Sequence, residues 1–296
     1  MDYNHFMTQT KQTIQDILPL FGIDPGEPVR QIYKSAWDVG GRYILKKSTD
    51  HVALEKSVRL SGLLAARGVP VPEYTAKSVE ADGTRYALMK IMRGSHIDPY
   101  KGDPYGNGVL MGRLVAGLHA ALREIPDTFG CPDADYMLQL DEYIVPEIYV
   151  PKHVLEYARA FEPLCKTLPR QLIHRDVHTG NMLFQDGAFT GWLDFDNAER
   201  NARMHDLCYL GATMLAGNYR ERRRLQTWRI IFRSVLRGYN KISPLTEEER
   251  QAVPYMFVHI ELLFAAFFSR NGQGKTSKKC LNMAKWLYRH RGILVP

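Results

Sequence analysis

The spacing of apolar positions changes character along the chain, and each change predicts an element. Residues 2 to about 21 carry Phe6, Ile14, Ile17, Leu18 and Phe21 at helical intervals, closed by Pro19 and Gly22, which predicts an amphipathic leading helix. From Val29 the texture becomes short runs of β-formers around Gly40-Gly41, with Tyr43, Ile44 and Leu45 leading into Lys46, the pattern of a hairpin that ends in a lysine. Asp50 is placed to cap a helix running to about Arg67 over Leu54, Val58, Leu63 and Leu64, and Gly68 ends it. Gly68-Val69-Pro70-Val71-Pro72 then links to two strands joined at Asp82-Gly83, which completes a small five-stranded antiparallel sheet.

Beyond Met92 the pattern is helical. Gly94 to Gly108 is a loop rich in Gly, Pro and Tyr, followed by Leu110, Leu114, Leu118, Ala121 and Leu122, an i, i+4 stripe long enough for a central helix. His119 beside that stripe reads as a packed structural histidine. Residues 136 to 167 are helical with breaks at Pro146 and Pro151, and their acids Asp141, Glu142 and Glu147 are placed to border a ligand. Met204-His205-Asp206-Leu207 opens a helix whose Gly211 and Ala212 permit close packing, and further helical patterns lie near 220–240, 254–269 and 275–290. No internal repeat is visible. Residues 1–92 therefore read as α+β, mixed helix and strand, and residues 93–296 as mainly helical.

One interval departs from this scheme and carries chemistry. The apolar run Leu172-Ile173 leads into His174-Arg175-Asp176, Asn181 follows, and an Asp186-Gly187 turn joins two further apolar runs that deliver Asp194. Asp176 at the loop apex is a proton acceptor for an incoming hydroxyl. Asn181 and Asp194 offer hard oxygen ligands suited to Mg²⁺, which prefers carboxylate, amide and phosphate oxygens.

The wording HxDxHxGN…DFD resembles the aminoglycoside and choline phosphotransferase branch of the protein-kinase-like superfamily. The resemblance implies a two-lobed kinase-like fold with ATP between the lobes. It makes Asp176 the catalytic base, Asn181 and Asp194 the Mg²⁺ ligands, His174 a structural histidine behind the loop, and Asp206 the acid that braces the loop through backbone hydrogen bonds. It also makes Lys46 the lysine on the nucleotide phosphates, with Lys47 as the alternative. Alternation along the strand favours Lys46 if it shares a face with Ile44. Glu55 would pair with Lys46; otherwise it is an ordinary acid on a helix surface. The backbone of Met89, Lys90, Ile91 and Met92 would read adenine, although the same residues suit a strand core. The turn Lys34-Ser35-Ala36-Trp37 lacks the glycines of a protein-kinase loop, which fits the small-molecule branch and leaves Ser35 to face phosphate. Trp37 reads as packing.

The implied reaction moves the γ-phosphate of ATP to a hydroxyl of a small molecule; aminoglycosides, choline or ethanolamine, homoserine, other amino alcohols and sugars all stand as acceptors. Glu261 lies in the apolar run PYMFVHIELLFAAFFSR, where helical spacing groups it with Phe257, Phe264 and Phe268. A carboxylate among rings suits a cationic acceptor, with Asp196 and Glu199 adding negative charge; the competing reading is a core helix whose Glu261 is neutralised by a basic side chain. A catalytically silent kinase-like binding or regulatory module is the alternative to an enzyme, and the intact set of Lys46, Glu55, Asp176, Asn181 and Asp194 favours the enzyme.

Composition narrows the setting. The chain has 296 residues, 45% of them hydrophobic, enough for two cored lobes. The longest uninterrupted apolar run, Leu262 to Phe268, is far short of the roughly 20 residues that span a bilayer. MDYNHFMTQTKQ has no apolar block of signal-peptide length, so a cytoplasmic protein is expected. Cys131, Cys165, Cys208 and Cys280 are scattered, without zinc or disulfide spacing. The net charge of +7 raises nucleic acid as a partner, but the densest cluster, Arg220 to Arg224, starts an amphipathic helix, and no recognition motif accompanies it or Lys275 to Lys279.

Overall fold

A computed structural model describes residues 13–75, 78–126 and 129–294. The chain divides into two units, Met1–Arg93 and Gly94–Pro296.

In the first unit, α1 (Ile14–Ile17) runs straight into a 3₁₀ turn (Leu18–Phe21) that Gly22 closes at φ 70°. Only this end of the expected leading helix is described; Phe6 lies outside the described residues. Five antiparallel strands follow in the order β1-β2-β3-β5-β4. They are β1 (Val29–Tyr33), β2 (Ala36–Val39), β3 (Tyr43–Ser48), β4 (Val79–Ala81) and β5 (Thr84–Lys90). Asp82 and Gly83 both adopt left-handed backbone, the conformation a two-residue hairpin loop demands. Ile17, Leu18, Val39, Leu45, Tyr86 and Leu88 form one buried cluster, so the leading segment packs on one face of the sheet. Leu45 pairs with Leu88, Lys46 with Ala87 and Lys47 with Tyr86, which puts the two lysines on opposite faces. The Lys47 ammonium lies 5.1 Å over the Trp37 ring. Between β3 and β4, α2 (His51–Ala65) starts where the Asp50 carboxylate accepts from the Ala53 N–H at 2.9 Å.

The second unit opens with α3 (Pro104–Arg123). A helical stretch then runs through α4 (Tyr136–Leu138), a π turn (Gln139–Ile144) and α5 (Val145–Glu147), followed by α6 (Lys152–Arg159) and α7 (Glu162–Cys165). Two small ribbons come next: β6 (Arg170–Ile173) pairs with β9 (Glu199–Ala202), and β7 (Met182–Gln185) with β8 (Ala188–Trp192). The helices α8 (Met204–Leu215), α9 (Arg222–Asn240), α10 (Glu247–Arg270) and α11 (Gly274–Arg289) complete it. The buried face of α3 is Gly108, Met111, Gly112, Val115, Ala116, Leu118, His119 and Leu122. Leu118 and Leu122 of the expected stripe lie on this face, while Leu110, Leu114 and Ala121 are half-buried and Gly108 and Gly112 meet α9.

Helix α10 starts earlier than the apolar pattern implies. A capping box of Thr246 and Glu249 opens it, and Pro254 lies inside it. Its first turns, Glu247 to Gln251, are too polar to register as part of an apolar stripe. Among the described residues α10 is the helix long and apolar enough to cross a membrane, a point the uninterrupted-run criterion missed. Its apolar window is 67% buried inside the protein, where it packs with α8 and α11, so it serves as a core helix.

Candidate active site

The loop after β6 is fixed from behind. The N–H groups of His174 and Arg175 donate to the Asp206 carboxylate at 3.0 and 2.7 Å. Asp206, the third residue of α8, has no solvent exposure. Burial alone would raise its pKa, but the hydrogen bond from His119 and the electrostatic pull of the neighbouring His119, His174 and His205 rings outweigh burial and hold it below its ordinary value. His119 donates from Nε2 to Asp206 at 2.9 Å and accepts at Nδ1 from the Tyr239 hydroxyl, also at 2.9 Å. The histidine read as structural is therefore the link from α3 and α9 to the loop.

Held in this way, the chain turns sharply. Arg175 takes φ 69°, a left-handed conformation costly for a non-glycine residue, and the turn presents Asp176. Buried His174 accepts the Asp176 N–H at Nδ1 (3.3 Å) and donates from Nε2 to the Leu193 carbonyl (2.8 Å), with its ring 4.5 Å from Phe195. It thus joins the Asp176 loop to the segment that delivers Asp194. Asn181, at the end of a 3₁₀ turn (Thr179–Asn181), donates from Nδ2 to the Asp176 carbonyl at 2.9 Å and to Oδ2 at 3.3 Å. With its amide nitrogen so used, Asn181 keeps its Oδ1 as the oxygen it can offer a metal. Its own carbonyl accepts from Leu193 N–H at 3.0 Å, and the next residue, exposed Asp194, is again left-handed at φ 61°. His178 Nε2 lies 3.6 Å from Asp176 Oδ1; burial lowers its pKa against the pull of that carboxylate.

Asp176 opens onto a cavity of about 610 Å³ within the second unit. Gln139, Tyr143, Arg175, Asn197, His205, Tyr209, Ile260, Leu263, Phe264 and Phe267 line the rest of it. The Tyr209 hydroxyl is within hydrogen-bonding reach of Asp176; burial and then that carboxylate raise its pKa, so it stays a protonated donor. None of these wall residues was read from the sequence as a ligand contact. For Gln139 and Tyr143 the available signal was the helical stretch expected to border a ligand. For Arg175 it was the position between His174 and Asp176.

The acids expected around an acceptor do not line this cavity. Glu199 is buried, receiving Arg175 Nε at 3.0 Å and Asn201 Nδ2 at 2.8 Å, so its charge is spent on Arg175. Asp196 is not on the wall either. Glu261 is 2% exposed; α10 turns Ile260, Leu263, Phe264 and Phe267 to the cavity and carries Glu261 round toward Cys280 of α11. Phe257 meets Trp228 and Phe232 instead, so the expected ring of aromatics about Glu261 does not form.

In the first unit, Ser35 lies exposed in the β1–β2 turn, and its carbonyl accepts from Lys47 N–H at 2.9 Å. Glu55 receives Arg85 Nη1 at 3.2 Å. Of the residues expected to read adenine, Met89 and Met92 are half-buried. The Lys90 and Ile91 N–H groups donate to the Glu73 and Arg42 carbonyls at 2.9 Å each, which removes those two donors.

A model of the phosphotransferase enzyme family matches residues 26–244. A homoserine kinase from Methylobacillus flagellatus is 25% identical over 230 residues, covering 73% of this chain and 69% of that protein. Among solved structures, a microcompartment-associated aminopropanol kinase superposes with a TM-score of 0.68 at 16% identity, over 96% of this chain and 99% of that one. The amicoumacin kinase hAmiN in complex with AMP-PNP, Ca²⁺ and Ami gives 0.67 at 14% identity, over 86% and 88%.

Proposed function

The chain belongs to the phosphotransferase enzyme family and is a small-molecule kinase with a hydroxyl acceptor, and from that premise we propose that it moves the γ-phosphate of ATP, with Mg²⁺, to a hydroxyl that Asp176 deprotonates. The observation that carries this reading is the placement of Asp176: its carboxylate is held by Asn181 on one side and faces a cavity of substrate size on the other. In the step, the acceptor oxygen bonds the γ-phosphorus, the bond from that phosphorus to the β-bridging oxygen breaks, the hydroxyl proton goes to Asp176, and ADP leaves.

Asn181 and Asp194 fit a divalent cation in chemistry, because both offer oxygen, and Mg²⁺ completes its shell from water and phosphate. Among the described residues no group of three His, Cys, Asp or Glu forms a metal site, so Asn181 and Asp194 would hold the cation together with nucleotide phosphate. When bound, it neutralises charge on the phosphates as the bond breaks. Lys46 is assigned to those phosphates because Lys47, on the opposite face of β3, has its ammonium over the Trp37 ring. Tyr209 keeps Asp176 oriented. Most of the rate gain on this reading is positioning and charge neutralisation, with the base contributing the remainder.

The test is Asp176→Asn with ADP formation and nucleotide binding measured side by side. Turnover should fall about 10²–10⁴-fold, the usual span for a general base, with nucleotide affinity kept. Near-wild-type turnover would remove Asp176 from the role of base.

A further inference from the structure

The wall facing Asp176 is rich in donors. Asp176 is the sole carboxylate lining the cavity among the described residues, and Arg175, Gln139 and Asn197 share the lining with it. His205, also on the wall, is pushed by burial down to about 4 and is uncharged at neutral pH. The guanidinium of Arg175 is anchored by one edge: Nε donates to buried Glu199, and the side chain stays 30% exposed where it lines the cavity. A guanidinium fixed by Nε offers its remaining fork to a planar anion.

Gln139 is set by a residue beneath it. Its Oε1 faces Nε2 of His259 at 3.1 Å. His259 is 1% exposed, sits edge-on to Tyr136 at 5.0 Å, and is held neutral by burial, at about 3. A neutral imidazole has one N–H, and a carbonyl oxygen can only accept, so the proton is on Nε2. His259 Nδ1 accordingly makes no hydrogen bond among the described residues. The contact fixes the Gln139 amide with its oxygen inward, which leaves the NH₂ as the end available to the cavity.

We propose that Arg175 and Gln139 form a carboxylate subsite in the acceptor pocket, with His259 as the positioning residue that orients Gln139, so that the acceptor is a hydroxy acid. Its hydroxyl reaches Asp176, its carboxylate lies on the donor wall, and its carbon skeleton rests on Leu263, Phe264 and Phe267. The assignment rests on the reading of Asp176 as the base. It also replaces the cationic acceptor expected from Glu261, since that acid is not on the wall.

The experiment uses the full-length protein with ATP and Mg²⁺ and matched pairs of probes: homoserine against aminopropanol, and γ-hydroxybutyrate against propanol. Equilibrium titration and ADP release are read for each. At least one acid should bind about tenfold or more tightly than the alcohol lacking its carboxylate, as a charge-assisted bidentate contact gives. Gln139→Leu and Arg175→Lys should each collapse that ratio. His259→Leu should lower it through KM rather than kcat, and His259→Gln, which keeps an N–H for Oε1, should restore it. If neither acid is preferred in the wild type, or if the variants weaken acid and alcohol equally, the subsite is overturned. A preserved preference for the acid without turnover on any hydroxyl would instead overturn the phosphotransfer reading and leave the subsite standing.

Discussion

Asp206 and Glu261 are carboxylates on neighbouring helices, both cut off from water, and they resolve the cost of burial in opposite ways. Asp206 keeps its charge because His119 and two backbone N–H groups receive it. Its folded pKa is depressed, so its contribution to stability is present above the ordinary 3.8 and is lost as pH falls below that value. Glu261 has burial acting on it, which lifts its pKa to about 8 from 4.5. Its contribution is complete below pH 4.5 and is lost as pH rises through 8. Glu261→Gln should therefore change the melting temperature little at pH 5 and raise it at pH 9, by on the order of a few kcal/mol in stability; an equal shift at both pH values would contradict the burial argument. The loop and hairpin that carry Asp176, Asn181 and Asp194 were legible because an apolar run and an Asp-Gly turn mark them locally. Glu261 was misread because a helical wheel groups residues by direction without saying which direction holds the cavity. Arg175 was passed over because its use depends on a left-handed turn and on Glu199, which is distant in sequence.

Helices α3 and α9 meet through backbone rather than side chains. A Cβ added at Gly112 would lie 2.0 Å from the Val235 carbonyl oxygen, and one at Gly238 would lie 2.2 Å from that of Val109. Backbone cannot yield as a side-chain tip does. Gly112→Ala should destabilise by about 1–3 kcal/mol, the usual cost of overpacking, measured by denaturant midpoint. Because His119 reaches Asp206 from the far half of α3, a forced separation should also slow turnover; an unchanged midpoint would show that the seam has slack. The existence of α3 and the Leu118 and Leu122 part of its buried face were legible, and the Gly108 and Gly112 part was not, since apolar periodicity gives weight to leucine and none to glycine. The N-terminal sheet fared better because Asp82-Gly83 and Gly40-Gly41 announce hairpins locally, and strands joined by tight turns pair as neighbours. The start of α10 was hidden for a related reason, being carried by a capping box rather than by apolar residues.

Across the whole molecule the net charge is +7. In the densest basic cluster, Arg220 lies 5.4 Å over Tyr219 and Arg224 5.1 Å over Tyr100. Any retention of duplex DNA at low salt should vanish by about 0.15 M, as expected of unspecific phosphate attraction; binding that persists in a gel-shift assay at that salt would point to a genuine nucleic-acid surface. The division into two units followed from a change in period, a property that survives without any alignment, whereas the contents of the cavity depend on how far-apart segments meet. The π turn at Gln139–Ile144 shows what such a meeting hangs on. It amounts to one residue more than a regular helix would hold, and each residue turns a helix by about 100°. Losing one residue there would return the segment to regular winding, with Gln139 and Tyr143 three apart, on the same helix face but shifted by a fraction of a turn. On the proposed reading of the pocket, a one-residue insertion or deletion in this helix would reshape the wall as a substitution does.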